Sequence, residues 1–241
     1  MLKIKNLSAQ SESNDALLRE ITLEIKAGEL HAIMGPKNSG KTALAHAITG
    51  HPEIAIIEGT MTFNKKNLLK LDPDSRSKIG IFVSMQYPPE YDGITNWKLL
   101  EEVVQDRGEP IQDLKIKYIT CCELLGLGDA HGDRQPNGSE MLIGEAKRNE
   151  LVHMMLLNPD LILIDEIDDG LSEPELFLVA ATLIEFLGTG DKAGLIITHS
   201  KKLLDLLQPT HVHVMVEGAI KVSGDTELYT RIVEDGYSEF S

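Results

Sequence analysis

The sequence predicts an α/β fold: a largely parallel sheet with helices on its faces, an antiparallel β portion at the N-terminus and an inserted helical subdomain. Three observations carry that prediction. "GPKNSGKT" (residues 35–42) sits between a short apolar run and a helical pattern, "LILIDE" (161–166) is an apolar run ending in two acids, and strand and helix patterns alternate from there onward.

The elements follow in order. "LKIKNL" and "EITLEIKAGEL" alternate as strands do, with Ile21, Leu23 and Ile25 on one face and Thr22 and Glu24 on the other. "LHAIMG" is short and continuously apolar, which suits a strand buried on both faces. "KTALAHAITG" has helical spacing and a natural stop at Gly50. "EGTMTFNKKNL" returns to strand and turn, and "IGIFVSMQ" reads as another strand. From Trp97 to about Asn158 the pattern is helical, in "WKLLEEVVQ", "IQDLKIKYITCCELLGLG" and "SEMLIGEAKRNELVHMMLLN", with "GDAHGDRQPNG" as the polar break. Asn137 and Glu140 have capping-box spacing, which predicts that the third helix starts early and buries residues 142–145 inside it. Then come "LILIDE", the helix "EPELFLVAATLIEFLG", the strand "GLIITH", the helix "SKKLLDLL", the closing β segment "HVHVMVEGAIKV" and a last short helix. The expected organisation is one domain: an α/β core from residues 1–96 and 159–241, and a helical subdomain from 97–158.

Thirty-eight acidic residues against 23 basic ones give a net charge of −15, which argues against a generic nucleic-acid or anionic-membrane surface. There is no run of 18 apolar residues, and "MLKIKNLSAQ" lacks a signal-peptide layout, so no direct membrane insertion and a cytoplasmic location are expected. Cys121 and Cys122 are adjacent; helical neighbours diverge by about 100°, so they read as core thiols, with metal ligation the alternative. His211 and His213 share a strand face, where they either grip a metal or sit on a partly exposed closing strand.

The stretch at 35–42 has the strand-loop-helix context of a phosphate-binding loop. Gly35 and Gly40 let the backbone turn, and the loop through Pro36, Lys37, Asn38 and Ser39 points its amides at phosphate oxygens next to a helix N-terminus. Lys41 reaches the β and γ phosphates, and Thr42 offers a hydroxyl to Mg²⁺. Asp165, at the end of a buried strand, is placed to hold that Mg²⁺ through water, and Glu166 to polarise an attacking water. ATP and Mg²⁺ are the expected ligands.

With both motifs in place, the chain resembles the ABC-type ATPases, which have a RecA-like P-loop core. Gln86 in "SMQYPPEYDGITN" matches the family's Q-loop and His199 in "IITHS" its switch histidine. The resemblance is narrower with the SufC group, the ATPases of Suf iron–sulfur cluster assembly. "HAIMGP", "QYPPE" followed by "GITN", "GEAKRNEL", "HVHVMVEGAIKVSGD" and "EDGYSEF" all fall at matching places. The resemblance implies Gln86 and His199 beside the γ-phosphate, Gln86 also at the Mg²⁺, partners similar to the SufB and SufD scaffold proteins, and ATP-dependent pairing with a second copy or a paralog.

Several letters depart from the family. Asn38 replaces a glycine, a mild change because Asn tolerates a left-handed backbone. The signature "SGGE", which in the family acts on the partner subunit's nucleotide, reads Leu142, Ile143, Gly144, Glu145. Ser172 ends the D-loop "DDGLS" where aspartate is usual, and no aromatic residue between Ser8 and Ala16 is available to stack on adenine. The expected protein binds Mg-ATP, dimerises weakly on it and hydrolyses it slowly alone. Two rival readings stand beside it: a slow or inactive nucleotide-binding scaffold subunit paired with an intact paralog, and the ATPase subunit of a transporter.

Overall fold

The computed structural model describes residues 1–86, 93–108, 111–136 and 141–240. Strands β1 (Leu2–Gln10) and β2 (Ala16–Ile25) pair antiparallel, and Ile21, Leu23 and Ile25 are buried while Thr22 and Glu24 are exposed. β3 (Leu30–Met34) leaves for a second sheet, whereas β4 (Ala55–Phe63) and β5 (Lys66–Asn67) return to complete the four-stranded order β2-β1-β4-β5.

The second sheet adds β6 (Ile81–Ser84), β7 (Leu161–Asp165), β8 (Ala193–Ile197), β9 (His211–Val216) and β10 (Ala219–Gly224), in the order β10-β9-β3-β8-β7-β6. All its pairs are parallel except the β9–β10 hairpin. Both faces are covered. Ile162, Ile164, Ile196 and Val212 join one apolar cluster, and their neighbours Leu161, Leu163, Leu195 and Ile197 join the other. That two-sided burial is why these strands read as unbroken apolar runs.

Helix α1 (Lys41–Thr49) follows β3 and α2 (Pro73–Lys78) precedes β6. Between β6 and β7 lie α3 (Asn96–Asp106), α4 (Leu114–Leu124) and α5 (Ile143–Leu157), the helical insertion. α6 (Glu173–Leu187), α7 (Lys201–Leu207) and α8 (Thr226–Asp235) complete the chain's alternation. A buried polar network orders the insertion: Asn149 Nδ2 donates to Asn96 Oδ1 (2.8 Å), Asn149 Oδ1 lies 2.9 Å from His131 Nε2, and Asn96 Nδ2 donates to the His131 carbonyl (3.2 Å). Each amide is satisfied by another buried group, so the network carries no exposed desolvation penalty. Cys121 and Cys122 pack in the core beside Leu125 and Leu151, and burial pushes the Cys121 thiol up to about 11, as inert core thiols require.

Two expectations are corrected. α5 begins at Ile143, not earlier, and Leu142 and Ile143 are 73% and 65% exposed. The predicted cap at Asn137 and Glu140 lies outside the described residues; the start observed uses Glu145, whose Oε2 accepts from the Leu142 N–H at 3.2 Å. The partly exposed strand expected for the two histidines fits His211, which is half-buried, but not His213, which is 5% exposed and packed among His31, His211 and Ser223.

Candidate active site

The phosphate loop leaves the C-terminal end of β3, in the middle of the parallel sheet, where α/β folds gather ligands. No side chain fits at residue 35, because a Cβ there would lie 2.0 Å from the Met215 carbonyl oxygen. Gly40 takes φ 98° as the N-cap of α1, with a Cβ position 2.7 Å from the Leu17 carbonyl. Asn38 adopts φ 62°, the left-handed geometry expected of the glycine's replacement. The loop is braced from outside. Gly218 donates its N–H to the Ser39 carbonyl (2.9 Å), and Arg19 donates to the Gly218 carbonyl (2.8 Å), so the β9–β10 turn and β2 hold it from one side. Lys41 is buried and its ammonium donates to the carbonyls of Gly35 (2.9 Å) and Pro36 (2.8 Å). Burial lowers its pKa, while Glu166 and Asp165 pull the other way.

Across the loop, β7 ends in Asp165. Burial lifts this carboxyl to about 6; Glu166 pushes in the same direction, while the Thr42 hydroxyl and Lys41 oppose it. Its Oδ1 is buried without a hydrogen-bond partner among the described residues. Glu166 then turns left-handed at φ 47° with its N–H donated to the Ile197 carbonyl (2.9 Å). Its carboxylate accepts from Gln86 Nε2 and lies 3.6 Å from His199 Nε2, and its carbonyl accepts from the Lys147 ammonium. His199 Nδ1 is 3.4 Å from the Tyr237 hydroxyl, which also meets the Gly35 backbone. Residues 87–92, part of the stretch that follows Gln86, lie outside the described residues.

These groups surround a cleft of about 920 Å³ lined by Lys37, Asn38, Ser39, Gly40, Lys41, Thr42, Gln86 and Glu166. Of the predicted residues, Gly35, Pro36, Asp165 and His199 stand behind this lining: Gly35 and Pro36 accept from Lys41, Asp165 meets Thr42, and His199 meets Glu166. The residues at 142–145 stand outside the cleft at the N-terminus of α5, where Leu142 has no side-chain oxygen to complete the cap that Glu145 half forms. Ile143 packs on the D-loop instead, its Cγ2 3.0 Å from where a Gly170 Cβ would stand. Ser172 caps α6, donating its N–H (2.8 Å) and hydroxyl (2.6 Å) to Glu175. Sequence reading missed Ala16, Leu17, Arg19, Ala43, Glu217 and Gly218, which complete the lining, together with Lys147 and Tyr237. Lys147 carried one signal, a lysine on the buried side of an apolar helix.

The donor set fits a hard divalent cation: a threonine hydroxyl, an amide and two carboxylates, one with a buried, unpaired oxygen. The loop amides and Lys41 beside it fit a polyphosphate.

The family model described as "ABC transporter" matches residues 18–168. A probable ABC transporter ATP-binding protein of Streptococcus pyogenes serotype M18 is 36% identical over 243 residues, covering 99% of this chain and 94% of its own. A probable ATP-dependent transporter of Synechocystis sp. is 37% identical over 244 residues, covering 98% and 94%. Vegetative protein 296 of Bacillus subtilis is 36% identical over 241 residues, covering 98% and 91%. Among solved structures, the ATP binding subunit of an ABC transporter superimposes with TM-score 0.82 at 19% identity, over 99% of this chain and 95% of its own. The dimeric cassette MJ0796, bound to ADP and Pi, does so with TM-score 0.81 at 20% identity, over 93% and 98%. Both share the fold. No helix among the described residues is long and apolar enough to cross a membrane.

Proposed function

This chain belongs to the ABC transporter ATPase family, and from that premise we propose that it binds and hydrolyses Mg-ATP in the cleft at the end of β3. The gathering of Lys41, Thr42, Gln86 and Glu166 on one cleft, with Asp165 against Thr42 and His199 against Glu166, supports the reading. Lys41 and the loop amides hold the phosphates, with Gly35 and Gly40 giving the backbone its close approach. Thr42, Gln86 and Asp165 hold Mg²⁺, which when bound offsets phosphate charge. Glu166 orients the attacking water and accepts its proton, and His199 contacts the γ-phosphate. Leu17 and Arg19 form the wall available to adenine, the guanidinium plane standing in for the missing aromatic.

We propose further that the subunit works in the cytoplasm, in a SufC-like role, on scaffold proteins similar to SufB and SufD that assemble iron–sulfur clusters. The strings shared with the SufC group support this, and so does a second groove of about 360 Å³ whose lining includes Phe82, Val83, Met85, Leu99 and Val103. It opens beside Gln86, where an occupant can feel the γ-phosphate side of the cleft. Its lining also includes Glu150, bonded to Ser84 at 2.5 Å and pushed by burial up to about 8, a shift away from the charged form that suits an apolar partner surface. The relatives' names favour a second reading, in which a transporter's membrane subunit occupies this groove. Affinity purification from the native cell under mild detergent separates them. Scaffold proteins recovered with the parent and lost with Val103→Arg support the SufC-like role; an integral membrane protein behaving so replaces it with the transporter reading.

The same family logic predicts pairing with a second copy or a paralog, each signature acting on the other's nucleotide. Leu142 offers no donor, and Ile143 adds bulk where backbone must approach. One hydrogen bond to a charged group is worth about 1.5–3 kcal/mol, so its loss slows turnover by about 10- to 100-fold. Leu142→Ser with Ile143→Gly should therefore raise both ATP-dependent dimerisation and turnover, measured by size exclusion and phosphate release. A brisk parent, or no gain in the double variant, counts against a damaged signature and favours its replacement by a partner's residues.

A further inference from the structure

At the other end of β3 from the phosphate loop stands a cluster that nucleotide chemistry does not use. β3 and β9 pair in parallel with His31 opposite His211 and Ile33 opposite His213, so the three imidazoles share one sheet face. The His31 and His211 rings stack with centroids 4.3 Å apart, and Glu29 Oε2 lies 3.2 Å from His31 Nε2. One ligand atom each from Glu29, His31 and His211 lies within 4.8 Å of the other two. Ligands about 2.0–2.2 Å from a tetrahedral ion stand roughly 3.3–3.5 Å apart, so a modest turn of the half-buried His211 closes the set.

The surroundings hold two of the three ligands in place. Glu29 Oε2 accepts the Lys26 N–H at 2.8 Å, which fixes the carboxylate against the turn before β3. His31 is 2% exposed; its Nδ1 is 2.9 Å from His213 Nε2, and His213 Nδ1 is 2.7 Å from the Ser223 hydroxyl. Without an ion, His31 Nε2–H donates to Glu29 Oε2, and His31 Nδ1 accepts from His213 Nε2–H. An ion that displaces the Nε2 proton moves both rings to the Nδ1–H tautomer, in which His31 donates to His213 and His213 donates to the Ser223 hydroxyl, so the same chain of contacts supports the ligand form. Burial lowers the pKa of both rings, that of His213 to about 3.

We propose that Glu29, His31 and His211 form a binding site for a zinc-class transition-metal ion, with His213 and Ser223 positioning His31. Two imidazoles and one carboxylate with a position left for water suit Zn²⁺, whereas Mg²⁺ and Ca²⁺ prefer all-oxygen sets. The site is separate from the nucleotide cleft, four residues of extended strand or about 13 Å away along β3. A bound ion would clamp the turn before β3 to β9.

Equilibrium dialysis of the chelator-stripped full chain against Zn²⁺, in the presence of Mg-ATP, tests it. The expected result is one Zn²⁺ per chain, with His211→Ala and Glu29→Gln each weakening uptake at least about tenfold. Both positions are partly exposed, so each variant should keep the parent's circular dichroism, and Zn²⁺ should raise the melting temperature of the parent alone. Co²⁺ as a probe should give a visible absorption band that both variants lose. No stoichiometric uptake at micromolar Zn²⁺, displacement of the ion by Mg-ATP, or equal uptake by parent and both variants overturns the proposal.

Discussion

Lys41→Ala is expected to lose Mg-ATP binding by about 100-fold or more while the chain stays folded. The ammonium serves two phosphates, each through a charge-assisted bond worth about 1.5–3 kcal/mol, in a site otherwise built from neutral amides. Its present bonds to the Gly35 and Pro36 carbonyls place it at the loop's centre, so no neighbouring cation can take its position without moving the backbone. The fold should survive because α1 is anchored by Leu44, Ala45, Ala47 and Ile48, and alanine is the best helix former. Calorimetry with circular dichroism checks both halves. Parent-like affinity in the variant would remove the phosphate-loop assignment.

The second large effect is expected at Glu166. Glu166→Gln keeps the size, the left-handed backbone strain and an oxygen for Gln86 to donate to, but it removes the proton acceptor. Turnover should fall by about 10²- to 10⁴-fold, the usual worth of a general base, with nucleotide affinity retained. Phosphate release and binding measured on the same preparation separate the two. Undiminished turnover would mean that the carboxylate only positions Gln86 and His199.

Much of this site was legible because its chemistry is local in sequence. A loop must have glycine where Met215 or Leu17 leaves no room for a Cβ, and an acid at the end of an apolar strand stands out against its neighbours. The parts that were not legible come from pairing between distant segments. Leu17, Arg19 and Gly218 reach the cleft, and Tyr237 reaches His199, through pairings with distant segments, and although two of them lie in strings shared with the SufC group, nothing in their residue types ties them to the phosphate loop. The start of α5 was misread for a different reason. Asn137 and Glu140 have the right spacing for a cap, but the chain uses Glu145 three residues after Leu142, and spacing alone cannot rank two adjacent candidates. The burial of His213 comes from side chains on other strands, His31 on β3 and Ser223 on β10, which its own stretch of sequence does not carry.

The joint between α5 and α6 has a mechanical consequence. Arg148 donates to the carbonyls of Leu125 (2.7 Å), Gly126 (3.1 Å) and Gly144 (3.1 Å) and to Glu175 (2.8 Å), and Glu175 also takes both donors of Ser172. A Cβ on Gly144 would press on that same carboxylate at 3.1 Å. The helical insertion and the loop after β7 are thus tied together at the Arg148–Glu175 ion pair. From Ser172 the contacts run on through Leu171, whose N–H donates to the Asp168 carbonyl at 3.3 Å, to the Asp168 carboxylate, which accepts from the Thr198 hydroxyl at 2.6 Å next to His199.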